Sequence, residues 1–356
     1  MFTVTHTTSM RLTATIASIV LLLYPFTCAY SSAVVVMYHH FGDARYPSTN
    51  IRLDQFEDQL RFLETSGFNV WPLNDIVARL ASGGEVPDKT IAITMDDAYV
   101  SVYTEAYPRL KQRNWPFTVF VSTGYIDKKF PNYMSWAQMR EMQASGASFG
   151  NHSTTHDSLI RRLPEESESQ WRQRVDQDIR HAQQRLNAEL DHVVPLFAYP
   201  YGEYDLALAD IVAKTGLTGF GQQSGALGKH SDSRFLPRFP INEAYGELAG
   251  FRTKALSLAL PVETLQPVDP VTTTARPQLT LMLAANIEHP GQLACYAGAQ
   301  GALDIQWMDK EKRRFSVQAG RDLPGGRSRY NCTAPAGSSG RYYWFSQLWI
   351  RPHNKP

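Results

Sequence analysis

The chain contains 356 residues, of which 43% are hydrophobic and 19% are charged, and its formal net charge is +1. This length suits one large domain plus a smaller one, and the composition is typical of a globular protein with a buried core. A net charge so close to zero argues against a nucleic-acid-binding surface and against a polybasic membrane patch. Composition leaves the oligomeric state undetermined.

The first thirty residues have the pattern of a secretory signal peptide. Arg11 precedes an apolar run at 16–23, and small residues follow up to Ala29 and Ala33. The run is shorter than the roughly 20 apolar residues that span a bilayer, so we expect removal of this segment rather than its retention as an anchor helix. Cleavage after Ala29 or after Ala33 fits the pattern. We predict a signal peptide over 1–29 and an exported protein, periplasmic or extracellular.

Residues 33–260 alternate short apolar runs with amphipathic stretches. The predicted strands are 33–37, 90–95, 117–122, 194–199 and 218–221, and the predicted helices are 53–66, 103–113, 136–144, 167–190 and 206–215. Strands that alternate with helices indicate βαβ units and a parallel sheet. At this length the pattern predicts an α/β fold, a closed or distorted (β/α) barrel. In such barrels the functional residues lie at the C-terminal ends of the strands.

A change of composition follows the predicted barrel. Pro261, Pro267, Pro270 and the tract 271–277 predict a linker over 261–277. Beyond it, strand-like runs at 278–284, 302–308, 314–318 and 342–350 are separated by Gly, Pro and Asn turns. We therefore predict an all-β, sandwich-like C-terminal domain over 278–356.

The chain has three cysteines, and they predict one disulfide. Cys28 is expected to leave with the signal peptide, because the residues before it fit a lipid-attachment motif poorly. Cys295 and Cys332 remain, both in the predicted β-domain. Since an exported protein meets an oxidising compartment, we predict a bond between them. Two buried free cysteines are the alternative.

Two adjacent aspartates, Asp96 and Asp97, follow the apolar strand predicted at 90–95. Unpaired charge at the end of a buried strand is unfavourable, so this pair calls for a nearby cation. A metal ion would neutralise one carboxylate and leave the other as a general base. Alternatively, the two aspartates only cap the helix that follows, a position that Asp favours.

His152 and His156 are four residues apart, a spacing that places two side chains on one face of a helical turn. With one carboxylate they would supply three protein ligands and leave a position for water, as in catalytic zinc sites. The alternative is a pair of solvated loop histidines.

Residues 197–202 run from a strand into a Pro–Gly turn. Such a turn can aim a backbone N–H at a developing oxyanion, although similar turns are common at strand ends.

Taken together, these segments resemble the polysaccharide deacetylase family, also called carbohydrate esterase family four. The resemblance covers about 34–258 and includes the family's Asp-Asp and His-Ser/Thr-x-x-His motifs. It implies a distorted (β/α) barrel in which Asp96 is the general base. It also implies that Asp97, His152 and His156 bind the metal, and that the backbone N–H of Tyr201 stabilises the oxyanion.

The sequence departs from the family pattern in its third motif. Ala198 stands where the family carries the arginine that orients the base. We hypothesise that Arg238, within 236–240, supplies a guanidinium to the base from another strand.

The family's late Leu-x-His segment, which carries the general acid, is not evident after Arg238. Instead, the first predicted strand ends in Met-Tyr-His-His at 37–40. This resembles the branch that includes periplasmic poly-N-acetylglucosamine deacetylases, where an N-terminal Tyr-His takes that place. The resemblance implies that His39 is the general acid. If the strand continues, His40 points to the opposite side and is structural or substrate-facing; a general-acid role for His40 is the alternative.

The resemblance also implies a cofactor and a substrate class. We expect a divalent metal, zinc with cobalt or nickel as alternatives, and a polysaccharide or oligosaccharide substrate that contacts Tyr99 and Tyr201. The expected activity is hydrolysis of amide bonds other than peptides: removal of acetyl groups from an N-acetylglucosamine-containing polymer, with release of acetate. An O-acetyl esterase, a cyclic-amide hydrolase and a non-catalytic carbohydrate-binding protein are alternatives. The particular polymer and any association with a membrane or with exopolysaccharide machinery stay open.

Overall fold

A computed structural model describes residues 1–3, 32–285, 287 and 289–351 of the protein. Apart from its first three residues, the predicted signal peptide lies outside this described part, as does Cys28. None of the helices in the described part is long and apolar enough to cross a membrane.

The N-terminal part of the described chain forms a distorted (β/α) barrel, as the alternating pattern predicts. Its strands are β1 (Ser32–Tyr38), β2 (His40–Phe41), β3 (Asn50–Ile51), β4 (Asn69–Val70), β5 (Thr90–Met95), β6 (Phe117–Val121), β7 (Ala147–Asn151), β8 (Val193–Ala198), β9 (Thr218–Phe220), β10 (Ala226–Gly228) and β11 (Phe239–Pro240). Its helices are α1 (Leu53–Thr65), α2 (Leu73–Ala81), α3 (Tyr107–Gln112), α4 (Thr123–Asp127), α5 (Trp136–Gln143), α6 (Glu168–Glu189), α7 (Leu206–Lys214) and α8 (Leu248–Ala255), with a π-helical turn (Val102–Ala106) leading into α3.

Nearly every residue of β1, β5 and β6 is buried, which explains why these strands are continuous apolar runs rather than alternating ones. Helices α1, α3, α5 and α8 pack their apolar sides against this sheet in one core cluster. Helices α6 and α7 pack against β8 in a second cluster.

The main sheet has the strand order β10-β1-β5-β6-β7-β8-β9. The neighbours from β1 to β9 are parallel, and β10 is antiparallel to β1. Two short contacts link the ends of the sheet: Phe220 of β9 bridges Leu236, and β11 pairs in parallel with β1. Because the strands are parallel, the residues that follow β1, β5, β7 and β8 lie at one edge of the barrel.

The C-terminal part of the described chain forms two packed β-sheets. Its strands are β12 (Leu258–Ala259), β13 (Val262–Gln266), β14 (Gln278–Leu283), β15 (Ala294–Ala297), β16 (Gly301–Leu303), β17 (Gln306–Asp309), β18 (Arg314–Gln318), β19 (Gly326–Ala336) and β20 (Arg341–Arg351). One sheet has the order β12-β20-β19-β15-β16 and the other the order β13-β14-β18-β17. Apolar side chains from both sheets share one core cluster, so this part is the sandwich that the sequence predicts.

The boundaries between the predicted segments differ from those in the structure. Residues 262–266, predicted as the start of a linker, form β13 and pair antiparallel with β14. Residues 258–259, predicted as the end of the barrel, form β12 and pair with β20 of the sandwich. The prolines that suggested a linker flank β13, which is an edge strand, and do not interrupt it.

Cys295 and Cys332 lie directly opposite each other on β15 and β19 and form a disulfide. Both side chains are fully buried in the sandwich core. Beside them in that core lie Tyr330 and Trp349, with ring centroids 5.5 Å apart. The cross-link therefore joins two strands at the centre of the C-terminal domain.

Removal of the disulfide, by reduction or by the double substitution Cys295→Ala/Cys332→Ala, should destabilise the sandwich. The two cysteines are 37 residues apart in sequence, and a cross-link over this length corresponds to about 4 kcal/mol in the free energy of unfolding. Urea unfolding of the oxidised, reduced and doubly substituted proteins measures the effect. Two free thiols found by mass spectrometry in protein exported to an oxidising medium would contradict the pairing.

Candidate active site

Asp97, His152 and His156 converge at the edge of the barrel where the parallel strands end. The Nε2 atoms of His152 and His156 lie 3.3 and 3.0 Å from Oδ1 of Asp97. One candidate ligand atom from each residue lies within 4.8 Å of the others, and Asp97 and His152 are buried. The three residues that the sequence predicts as metal ligands are therefore together in space.

The chemistry of this trio fits a divalent metal ion. Oδ1 of Asp97 is buried, and within the described residues no hydrogen bond of normal geometry reaches it. Burial alone would raise the pKa of Asp97, but its contacts with His152 and His156 outweigh burial and hold that pKa well below the usual range. An ionised, buried carboxylate beside two imidazoles suits a cation such as zinc, cobalt or nickel.

A hydrogen bond at Nδ1, on the side of the ring away from Asp97, fixes the orientation of His152. Its Nδ1 atom lies 2.7 Å from the carbonyl oxygen of Ala198, at the end of β8. A hydrogen bond from Nδ1–H to a backbone carbonyl leaves Nε2, which faces Asp97, free to act as a ligand atom. Burial lowers the pKa of His152, but contact with Asp97 and the charge of Asp96 outweigh burial and raise it.

The prediction that His152 and His156 share a helical turn is wrong. Both lie in the loop after β7, where Ser153 and His156 have φ angles of 67° and 57°. Hydrogen bonds to α6 hold this loop, because Asp178 accepts from the backbone N–H of Thr154 at 2.8 Å. The loop's own hydrogen bond, from His156 N–H to Ser153 Oγ at 2.9 Å, closes the turn. The two imidazoles thus reach Asp97 through left-handed backbone rather than through helical spacing.

Asp96 forms a buried ion pair with Arg238. Nη1 and Nη2 of Arg238 donate to Oδ1 and Oδ2 of Asp96 at 2.6 and 2.8 Å, and neither side chain is exposed. Nε of Arg238 donates to the carbonyl of Gly221 at 3.0 Å, which fixes the guanidinium plane. Burial raises the pKa of Asp96, but the charges of Arg238 and His152 and the hydrogen bonds from Arg238 together outweigh burial, and the net shift is downward. Arg238 therefore contacts the predicted base although Ala198 replaces the family's arginine.

The two adjacent histidines lie in different environments. His39 lies between β1 and β2, where Asp97 and Asp96 partly counter the lowering of its pKa by burial. His40 is buried and stacks between Tyr46 and Tyr99, with ring centroids at 4.5 and 3.6 Å. Burial lowers the pKa of His40 to about 4, so its ring is neutral at physiological pH. His39 thus lies close to the carboxylate pair, whereas His40 is held between aromatic rings.

The turn after β8 presents Tyr201 to the same site. Tyr201 has φ 60° and ψ 4°, and its ring centroid lies 4.8 Å from that of His156. The side chain is 43% exposed. Gly202 follows with φ 69°, and a Cβ atom there would lie 2.5 Å from Cβ of Gln222, so the turn requires glycine at this position.

Aromatic side chains form one wall beside the trio. The ring of Tyr99 lies 4.9 Å from that of Tyr133, which stacks on Tyr125 at 4.8 Å. Tyr125 in turn lies 6.4 Å from the ring of His156. Tyr99 is thus part of a row of tyrosines that extends from His40 to His156.

The structure adds residues that the motifs did not reveal. Asp178 lies on α6 and anchors the histidine loop, and Glu203 accepts a hydrogen bond from Ser158 just beyond that loop. Arg327 of the sandwich donates to the carbonyl of Tyr201. These contacts join parts of the chain that are 24 to 126 residues apart, and no local pattern in the sequence indicates them.

A cavity of about 820 Å³ lies elsewhere, between the barrel and the sandwich. Its walls include Ser224, Lys229 and Trp344, and none of the predicted site residues lines it. Because the predicted acid, base and metal-ligand residues lie at the strand ends and not here, the edge of the barrel remains the candidate site.

Comparison with known proteins shows that the barrel is similar to one enzyme family. The model of the polysaccharide deacetylase family matches residues 83–220. The poly-beta-1,6-N-acetyl-D-glucosamine N-deacetylase of Staphylococcus aureus is 26% identical over 203 residues, which cover 54% of this chain and 68% of that protein. The structure of IcaB from Ammonifex degensii has a TM-score of 0.56 at 26% identity and covers 64% of this chain and 99% of that one. The Streptococcus pyogenes deacetylase PplD shares the fold, with a TM-score of 0.57 and 21% identity. The match covers 63% of this chain and 98% of that one.

The fold and the trio thus define a hydrolase whose site could bind a metal. Residues 83–220 of the barrel match the polysaccharide deacetylase family, and a relative of 26% identity is a named N-deacetylase. The family predicted from the aspartate pair and the paired histidines is therefore confirmed.

The buried pair of Asp96 and Arg238 should show strong energetic coupling. Arg238→Met leaves a buried carboxylate without its cation and should lower the free energy of unfolding by about 3–5 kcal/mol. Adding Asp96→Asn removes the uncompensated charge and should restore a large part of this loss. Urea unfolding of the wild type, both single variants and the double variant gives the coupling free energy between Asp96 and Arg238.

Arg234→Met is the matched control, because Arg234 is one-third exposed and pairs with aspartates near the surface. This substitution should lower the free energy of unfolding by no more than about 1 kcal/mol. Strictly additive losses in the Asp96 and Arg238 variants would contradict the coupling.

Proposed function

We propose that this protein is an exported, metal-dependent N-deacetylase that hydrolyses N-acetyl groups of an N-acetylglucosamine polymer, as its named Staphylococcus aureus relative does. The observation that carries the proposal is the division of two adjacent carboxylates at the end of β5. Asp97 faces His152 and His156, while Asp96 faces Arg238. One carboxylate is thereby available as a ligand and its neighbour as a base.

The proposed metal ligands are Asp97, His152 and His156, and zinc is the proposed ion. When bound, such an ion polarises the acetyl carbonyl and lowers the pKa of a water molecule. Cobalt and nickel suit the same donor set.

The remaining steps use the chain's own groups. Asp96, kept ionised and oriented by Arg238, accepts a proton from the attacking water as the new C–O bond forms. The backbone N–H of Tyr201 donates to the acetyl oxygen as negative charge develops there. His39 donates a proton to the amide nitrogen as the C–N bond breaks, which releases acetate and a free amine.

The tyrosine row supports a carbohydrate substrate. Tyr99, Tyr133 and Tyr125 border the trio on one side, and the partly exposed Tyr201 borders it near His156. Aromatic rings with a polar end suit the flat apolar faces and hydroxyl groups of sugars. We propose that Tyr99 and Tyr201 contact the sugar rings next to the reacting acetyl group.

Export is part of the proposal. The N-terminal pattern at 1–29 has the features of a signal peptide. A buried disulfide between Cys295 and Cys332 is a bond that persists in oxidising compartments and is rare in the cytosol. A periplasmic or extracellular location would also place the enzyme beside an exopolysaccharide.

The mature protein loaded with zinc should release acetate from β-1,6-linked N-acetylglucosamine oligomers. Dialysis against a chelator should abolish release, and added zinc should restore it, because the trio binds the ion reversibly. Asp97→Ala should lose both the metal, measured by mass spectrometry, and the activity. Asp157→Ala is the control, since Asp157 is exposed and adjacent to His156 but outside the trio.

The same assay decides between the alternatives. Release from O-acetylated sugars or cyclic amides, without release from N-acetylated oligomers, would point to an esterase or a cyclic-amide hydrolase. A protein that binds no metal and releases no acetate, but retains oligomers on a column, would be a carbohydrate-binding protein.

His39→Gln and Asp96→Asn should each lower kcat on the order of 10²–10⁴ while metal content stays at the wild-type level, because each removes a proton-transfer group. His40→Gln should keep most of the activity, because His40 lies between Tyr46 and Tyr99. Steady-state acetate release and metal analysis of all three variants provide the measurement. Wild-type turnover in His39→Gln, with loss in His40→Gln, would exchange the two assignments.

A further inference from the structure

The strand β19 has two faces with different partners. Tyr330 and Cys332 point into the sandwich core. Arg327, Arg329 and Asn331 alternate with them and point to the barrel side, because successive side chains of a strand face opposite ways. The sandwich therefore presents two arginines to the barrel, close to the turn that carries Tyr201.

Arg327 binds this turn at two points. Its Nη1 atom donates to the carbonyl oxygen of Tyr201, and its Nε atom lies 3.7 Å from Oε1 of Glu203. Oε2 of Glu203 accepts a hydrogen bond from the hydroxyl of Ser158, which is two residues beyond His156. One guanidinium thus connects the Tyr201 turn with the loop that carries a proposed metal ligand.

The turn needs such support because its backbone conformation is unfavourable. Tyr201 has φ 60° and ψ 4°, a left-handed conformation that residues other than glycine rarely adopt. On the other side of the turn, Gly202 packs closely against Gln222. Nη1 of Arg329 lies 3.5 Å from the carbonyl of that glutamine. Arg327 therefore contacts the turn directly, and Arg329 of the same strand contacts Gln222, which packs against it.

We propose that Arg327 is a positioning residue of the deacetylase, through which the C-terminal sandwich holds the backbone N–H of Tyr201 in place. The inference rests on the proposed function, in which this N–H donates to the acetyl oxygen. Arg327 acts through the turn and does not touch the substrate. A donor that is displaced from the developing oxyanion stabilises it less, so the effect falls on kcat rather than on KM.

The test compares Arg327→Ala, Arg327→Lys and a matched control, Arg314→Ala. Arg314 is an exposed arginine on β18, a strand of the other sandwich sheet. Arg327→Ala should lower kcat by about 10- to 100-fold, less than the 10²–10³ that follows removal of an oxyanion donor itself. KM, metal content and the midpoint of urea unfolding should stay near wild type. Arg327→Lys should recover part of the rate, because lysine can donate to Tyr201 but lacks the fork that also reaches Glu203.

A second measurement does not depend on activity. Amide hydrogen exchange should become faster at 199–204 in Arg327→Ala and stay unchanged in Arg314→Ala, because the turn loses its hydrogen bond. Wild-type kcat and unchanged exchange in Arg327→Ala would overturn the inference, as would an equal loss in Arg314→Ala. If the wild type itself releases no acetate, the proposed function fails, and the exchange data alone then decide whether Arg327 holds the turn.

Discussion

The arrangement of this site depends on two adjacent buried carboxylates at the end of one strand. Asp96 and Asp97 could not both be ionised there without separate cationic partners, because an uncompensated buried charge is strongly unfavourable. The barrel meets this requirement from two directions. Arg238 pairs with Asp96 and comes from the segment that links the ends of the sheet. The loop after β7 places His152 and His156 against Asp97. The chemical roles proposed for the two aspartates follow from this division.

The pairing of Asp96 with Arg238 also explains why the site does not need an arginine at position 198. The backbone carbonyl of Ala198 orients His152, a task that needs no side chain. The guanidinium that an arginine would supply here comes from Arg238, which is 142 residues away from Asp96 in sequence. A parallel barrel permits such an exchange, because all its strands deliver their following residues to one edge. The family's chemistry is thus compatible with a different origin for the arginine.

Local pattern predicted most of the secondary structure and the grouping of Asp97, His152 and His156, but not how the backbone brings these three residues together. His152 and His156 do lie together beside Asp97, but not through the helical spacing that suggested them. Positive φ angles at Ser153 and His156 depend on hydrogen bonds to Asp178 and within the loop, and neither residue is a glycine that would signal them. Likewise, the prolines around β13 suggested a linker, because proline marks both linkers and the ends of edge strands.

The contact between the sandwich and the barrel combines apolar packing with hydrogen bonds and an ion pair between Arg341 and Asp88. Trp344, Leu348 and Ile350 of β20 pack against core clusters of the barrel. Near Tyr201 the contact consists instead of hydrogen bonds from Arg327 and Arg329 to backbone carbonyls. Apolar packing supplies most of the free energy of such a contact but little direction, whereas hydrogen bonds fix position. The hydrogen bond from Arg327 is therefore the contact through which the sandwich would act on the proposed oxyanion donor.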